Sequence, residues 1–295
     1  MKILITNLWL DGFGGTESWC YAMASELIKR GHKIDVFTPM AGKVFKEFEK
    51  LGIKLVFKGE YDLILDNHNQ TNLNKFKGFV IHTCHGVIKE ERPMKDAVNV
   101  AVSKKTAEKW NCPIIIPNSI DINRFYCKNP IHNDIKKILS LCKSDTANDI
   151  LKRICLDVGI VFESMYGKEV FNVEDKINEA DLVVGVGRSL LDAMACGRPV
   201  VSFDDRYYFK TRMMGHGYIT PEKYKYQEID NFTGSSINQT FNKLSLAKEI
   251  FEKYNHKDGE INRQYILNNL SIKHAVDLYL DLYNKLKRNN IQQKH

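Results

Sequence analysis

The chain has 295 residues, 43% apolar and 11% aromatic, a globular composition that excludes the disordered and fibrous classes. That length exceeds what one hydrophobic core usually serves, so two domains of ordinary size are expected. The formal net charge of +7 suits anionic ligands, but Lys and Arg alternate with Glu and no basic face with interleaved aromatics has the spacing of a nucleic-acid module, so no nucleic-acid partner is expected.

The seven cysteines include no C-x-x-C pair, so most should be buried free thiols. No stretch approaches the ~20 apolar residues of a membrane span, and Met1 to Ile5 runs straight into a strand without a cleavage site. A cytoplasmic protein is expected. The basic tail Lys285-Leu286-Lys287-Arg288 suits weak peripheral contact with acidic headgroups at the inner membrane face.

In chain order, Lys2 to Asn7 reads as a buried strand, and Cys20, Met23, Ala24, Leu27 and Ile28 recur at helical spacing up to Gly31. Strand Lys33 to Thr38, a helical stretch from Val44 to Leu51, and strands at Lys54 to Phe57, Tyr61 to Asp66, Phe79 to Thr83 and Val98 to Val102 follow. The helix Lys104 to Trp110 and the strand Ile114 to Ile116 complete one doubly wound α/β domain. Asp121 to Pro130 reads as a crossing segment, and a fresh strand begins at Lys137. The clearest later unit is the strand Asp181 to Val184, a glycine turn, a helix from Ser189 to Cys196 capped by Gly197, and the strand Pro199 to Phe203. Ile272, Ala275, Val276, Tyr279, Tyr283 and Leu286 lie on one face of a long closing helix. The predicted domains are residues 1–124, residues 125–270 and a terminal helix over 271–295.

Open parallel sheets bind ligands outside the carboxyl ends of their strands, so chemistry should sit just after strands. Gly12-Phe13-Gly14-Gly15-Thr16-Glu17 follows strand one and opens a helix whose N-terminus could face a phosphate, although the same glycines would serve a tight loop equally well. It is not a dinucleotide fingerprint, because the third glycine would fall at Glu17 and residues 8–11 intervene.

The run from Gly14-Gly15-Thr16-Glu17 through Arg30-Gly31-His32 to Val36 resembles the opening of family 4 glycosyltransferases, retaining enzymes of the GT-B fold. His85-Gly86, Val102-Ser103-Lys104 and Ile116-Pro117-Asn118-Ser119-Ile120-Asp121 are similar to further stretches of that family in its order, with Ser119 where the family usually has Gly. The longest likeness is Glu179 to Val201, which resembles the donor-binding βαβ of GT-B transferases, in a subgroup reading G-V-G-R. Asn231-Phe232-Thr233-Gly234 is close to an N-F-S-G segment of the same subgroup.

The resemblance implies two Rossmann-like doubly wound parallel-sheet domains, the second abridged because few residues separate Lys143 from Gly185, with the terminal helix crossing back to the first. It implies donor contacts at Gly14, Gly15, Gly185, Val186, Gly187, Arg188, Ser189 and Asp192, acceptor-side residues Thr16 and Glu17, and His85 beside the transferred sugar. Lys143 takes the position of the family's basic phosphate contact, while the lysine expected a few residues later is replaced around Asn148. His85, Arg188 and Lys143 are the expected catalytic groups. The local chemistry agrees at the turn: small residues admit the diphosphate to the backbone, Arg188 can fork onto phosphate oxygens, and Asp192 can accept from ribose hydroxyls. Of the family's Glu-x7-Glu pair, the first position is Val184 and the second the shorter Asp192.

The expected activity is transfer of a sugar from a UDP or GDP sugar to a glycan, lipid-linked or protein acceptor, retaining, in polysaccharide biosynthesis. No cofactor and no metal are expected, with Asp204-Asp205 read as loop-starting acids. A non-catalytic nucleotide-sugar-binding subunit and a sugar-nucleotide epimerase of the same fold remain as alternatives.

Overall fold

The computed structural model describes residues 1–168 and 170–292. They form two compact units, one of Met1–Ser119 with the segment from Ile272 onward, the other Ile120–Ser271.

The first unit runs β1 (Lys2–Thr6), β2 (Trp9–Leu10), α1 (Gly15–Lys29), β3 (Lys33–Phe37), β4 (Met40–Ala41), α2 (Lys43–Lys50), β5 (Lys54–Leu55), β6 (Gly59–Asp66), β7 (Phe76–Cys84), β8 (Val98–Ala101), α3 (Lys104–Trp110) and β9 (Ile114–Ile115). Seven strands pair in the order β5-β3-β1-β6-β7-β8-β9, all parallel. The alternation of a strand sorts the two faces: Ile3 and Ile5 join Trp19, Met23 and Leu27 of α1 in one core, while Leu4 joins Tyr61, Ile64 and Phe76 in another. The strand order reverses between β1 and β6, and such a switch point opens a crevice at the strand ends.

The second unit runs β10 (Lys137–Ser140), α4 (Asp145–Asp157), β11 (Val161–Ser164), α5 (Val173–Asn178), β12 (Leu182–Gly185), α6 (Arg188–Ala195), β13 (Val200–Asp204), β14 (Met214–Tyr218), α7 (Lys225–Asp230), α8 (Lys243–Phe251) and α9 (Asp258–Asn269). Its sheet is shorter, ordered β11-β10-β12-β13-β14, with the switch point between β10 and β12. Leu139, Val183 and Val200 pack against α6, and Ile138, Leu182, Val184 and Val201 against α4 and α8. The edge strand β14 runs antiparallel to β13, which the sequence pattern does not announce. Its sequence Met214-Gly-His-Gly-Tyr218 carries two glycines, and a Cβ at Gly215 would lie 1.9 Å from the Ser202 carbonyl oxygen. Close backbone approach explains a glycine in a strand.

The last helix, α10 (Ile272–Gln292), belongs to the first unit. Ile272, Ala275, Val276, Tyr279 and Tyr283 enter the core that α1 closes. Arg30, past the end of α1, donates to the Asp277 carboxylate and, at 2.8 Å, to the Lys273 carbonyl. Among the described residues no helix is long and apolar enough to cross a membrane, and six of the seven cysteines are buried thiols outside any disulfide, with Cys127 exposed.

Candidate functional site

In the first unit the residues of interest gather after β1, β6 and β7. The parallel register pairs Thr6 with Asp66 and Asp66 with His82, and side chains level in a sheet share a face. Accordingly Thr6 Oγ1 donates to Asp66 Oδ1 at 2.5 Å, and Asp66 Oδ2 lies 2.5 Å from His82 Nδ1. All three are fully buried. His68 beside them is pushed down to about 4 by burial and by His82.

One residue past the end of each strand comes the polar rim. Asn67 is buried, and its Oδ1 lies 2.7 Å from Nε2 of the half-buried His85. Trp19 and His85 pack edge to face, 5.3 Å between ring centroids. Gly86 follows, its carbonyl accepting from Trp110 Nε1 at 2.7 Å.

The glycine turn ahead of α1 has a specific cause. Gly14 is the N-cap, in extended conformation, and a Cβ there would stand 2.4 Å from Glu17 Oε2. Gly15 begins the helix. Thr16 Oγ1 donates to Glu17 Oε2 at 3.1 Å, so the buried Glu17 carboxylate lies against the first turn of α1, where the helix dipole favours a negative charge. A second carboxyl, Glu91, is 9% exposed and sits against Gly86, where an added Cβ would meet its Oε2 at 2.6 Å. Burial, with Glu90 and Glu17 adding to it, pushes Glu91 up to about 8.

In the second unit, β10 and β12 are neighbours with Ser140 level with Val184, so Lys143 and the Gly185 turn leave adjacent strand ends at the switch point. Lys143 is exposed, and its backbone N–H donates to Asp204 Oδ2 at 3.1 Å. Gly185 ends β12, and a Cβ on it would lie 2.8 Å from Ser189 Oγ. Val186 is buried; its carbonyl accepts from Ser189 Oγ at 2.8 Å, closing the turn. Gly187 caps α6 with φ 65° and ψ −138°, a conformation open essentially to glycine alone.

Arg188 and Asp192 face each other one helical turn apart, with Nε 3.8 Å from Oδ1. Both are 7% exposed. Burial pushes the Asp192 carboxyl up to about 6, against the pull of Arg188 and of Arg124, which itself clasps Glu174 at 3.0 and 2.9 Å. The Asn231–Gly234 loop abuts this turn: a Cβ on Gly187 would touch Asn231 Nδ2 at 3.4 Å. Asn231 and Phe232 both have φ near 55°, a strained pair held because Asp230 accepts from Thr233 N, from Ser236 N and Oγ, and pairs with His216.

Asp204 and Asp205 are engaged structurally, Asp204 with Arg206 and the Lys143 amide, Asp205 with Arg212 at 2.5 Å. Among the described residues no three His, Cys, Asp or Glu side chains converge as metal ligands would. Asn67 and Glu91 carry no local sequence signal: Asn67 meets His85 because β6 and β7 end side by side, and Glu91 meets Gly86 because the short turn Lys89–Glu91 folds back on it. The buried charges around Asp192 likewise come from Arg124 and Glu174, distant in sequence.

No family model matches the chain, and no curated protein matches it in sequence. Solved structures do match in shape. Anabaena HepE, in complex with UDP and glucose, is 12% identical with a TM-score of 0.59, over 96% of this chain and 99% of that one. TarM is 10% identical with a TM-score of 0.61, over 96% and 98%. A putative UDP-N-acetylglucosamine 2-epimerase from Listeria monocytogenes is 13% identical with a TM-score of 0.55, over 95% and 94%. The chain has the GT-B fold. At these identities the likeness speaks of the fold, which glycosyltransferases and epimerases share.

Proposed function

We propose that this protein is a glycosyltransferase that moves a sugar from a nucleoside-diphosphate donor to a hydroxyl of a glycan, lipid-linked or protein acceptor. The observation that carries the reading is the strand end Gly185, the glycine-only backbone of Gly187 and the start of α6 at Arg188, beside Lys143 at the switch point of the sheet. Backbone N–H groups at a helix start and two cations are what a diphosphate needs. The UDP and glucose bound to HepE support the choice of ligand.

In this reading the bond from the anomeric carbon to the β-phosphate oxygen breaks, and its electron pair leaves with the diphosphate. Arg188, Lys143 and the start of α6 stabilise that growing charge, which is where electrostatic catalysis acts. The acceptor oxygen attacks the same face and its proton passes to the β-phosphate, giving retention. No metal has a part in this scheme. His85 lies beside the transferred sugar, Thr16 and Glu17 on the acceptor side, and Asp192 with the ribose.

A second reading, sugar-nucleotide epimerisation, draws on the buried carboxyls Glu17 and Glu91 and on the likeness to the Listeria epimerase. Nucleotide binding tests what both readings share. In a thermal-shift panel of UDP, GDP, ADP and CMP, one nucleoside diphosphate should raise the melting temperature, since a ligand at ~100 times its dissociation constant stabilises by about 2.7 kcal/mol. Arg188→Ala should weaken that ligand by about 1.5–3 kcal/mol, the range for a hydrogen bond to a charged group. An unchanged affinity would remove Arg188 from the site.

A further inference from the structure

Asn67 holds a fixed orientation. Its side-chain nitrogen lies 3.0 Å from the Thr6 carbonyl oxygen and 3.1 Å from Cys20 Sγ, while its Oδ1 lies 2.7 Å from His85 Nε2. A backbone carbonyl can only accept, so the atom facing Thr6 O must be the amide nitrogen. Turning the amide over would set two acceptors face to face in a fully buried position, at the full cost of leaving both unsatisfied. The amide oxygen therefore faces His85, and a ring nitrogen 2.7 Å from that oxygen must carry a hydrogen.

We propose that Asn67 is a positioning residue that locks His85 in its Nε2–H tautomer. The opposite tautomer would place the Nε2 lone pair against the Asn67 oxygen at 2.7 Å. Ring rotation is checked as well, because Trp19 packs against the imidazole edge to face with 5.3 Å between centroids and is itself backed by Tyr279 at 5.6 Å between centroids. With a hydrogen committed to Nε2, the neutral form of the ring carries its lone pair at Nδ1. Resting on the transferase reading, Asn67 thereby sets the tautomer and the orientation of the ring that His85 brings to the transferred sugar.

Long-range proton–nitrogen correlation spectra of the full-length protein read the tautomer directly, with His85→Gln identifying the His85 signals among the nine histidines. Wild type should show His85 as Nε2–H alone, and Asn67→Ala should give a mixed or reversed ring. Turnover of the best donor in Asn67→Ala should fall by about tenfold, the rate equivalent of one hydrogen bond, with nucleotide affinity unchanged. An Nδ1–H ring in wild type overturns the proposal, whether or not the variant folds. So does an unaltered tautomer in Asn67→Ala. A locked Nε2–H ring released by Asn67→Ala, in a protein that turns over no donor, upholds the tautomer assignment and removes the transferase reading instead.

Discussion

The Tyr279 ring of the terminal helix meets the Trp19 ring of α1 edge to face, 5.6 Å between centroids, and Tyr279 shares a 2.9 Å hydrogen bond with Thr83 near the end of β7. Trp19 in turn borders His85. The returning helix is thus part of the frame that fixes a candidate site residue.

Tyr279→Ala should cost the first unit about 3–5 kcal/mol, the usual loss for a buried aromatic. Tyr279→Phe keeps the ring and leaves Thr83 Oγ1 short of a partner, for about 1–3 kcal/mol. All three tryptophans, Trp9, Trp19 and Trp110, lie in this unit, so denaturant curves followed by tryptophan fluorescence report on it alone. A loss no larger for Ala than for Phe would mean that the aromatic packing contributes little.

Glu91 makes the stability of the same unit depend on pH. Its folded-state value, about 8, lies above that of an ordinary glutamate, so its contribution is complete below about pH 4.5 and is lost as pH rises through 8. Glu91→Gln should match wild type at pH 4.5 and exceed it in denaturant midpoint at pH 9. Equal midpoints at pH 9 would show that the carboxyl ionises without penalty.

Gly187→Ala isolates the backbone at the donor turn. The new methyl would find 3.4 Å to Asn231 Nδ2, an ordinary contact, so the cost comes from φ 65° with ψ −138° and should be about 1–3 kcal/mol. Circular-dichroism unfolding measures it, and titration should show weaker nucleoside diphosphate binding, because the amides of the turn must move. Unchanged binding in a destabilised variant would take the turn out of the site.

Asp192→Asn should weaken a nucleoside diphosphate while sparing pyrophosphate, if Asp192 senses the ribose. The carboxyl is raised to about 6, so its contribution to stability is full below about pH 4 and lost as pH rises through 6. The variant should therefore unfold no earlier than wild type at pH 7. Equal losses for both ligands, together with a lower melting temperature, would point to a helix defect.

Much of this was legible in the sequence because the chemistry is local there. The apolar run before Gly185 and the small residues through Gly187 form a strand, a turn and a helix start within eight residues, and the apolar stripe of α10 needs only a helical period. The helices α7, α8 and α9 are not announced by the sequence, since at 6, 9 and 12 residues they are too short to build a long apolar stripe. The strand β14 is hidden by two glycines, Gly215 serving the close approach of the Ser202 carbonyl and Gly217 that of the Glu249 carboxylate. Asn67 acquires its meaning only when the register brings Thr6, Cys20 and His85 around it, three residues from three separate stretches of chain.

The most direct test of the account is turnover of UDP and GDP sugars by wild type, His85→Ala and Arg188→Ala across a broad acceptor panel, with the product's anomeric configuration read by NMR. The account predicts a transferred sugar of retained configuration from wild type. In His85→Ala turnover should fall while nucleotide affinity holds, the mark of an interaction made in the transition state, and in Arg188→Ala both should fall. No turnover of any donor by wild type, or an epimerised donor formed without acceptor, would contradict it.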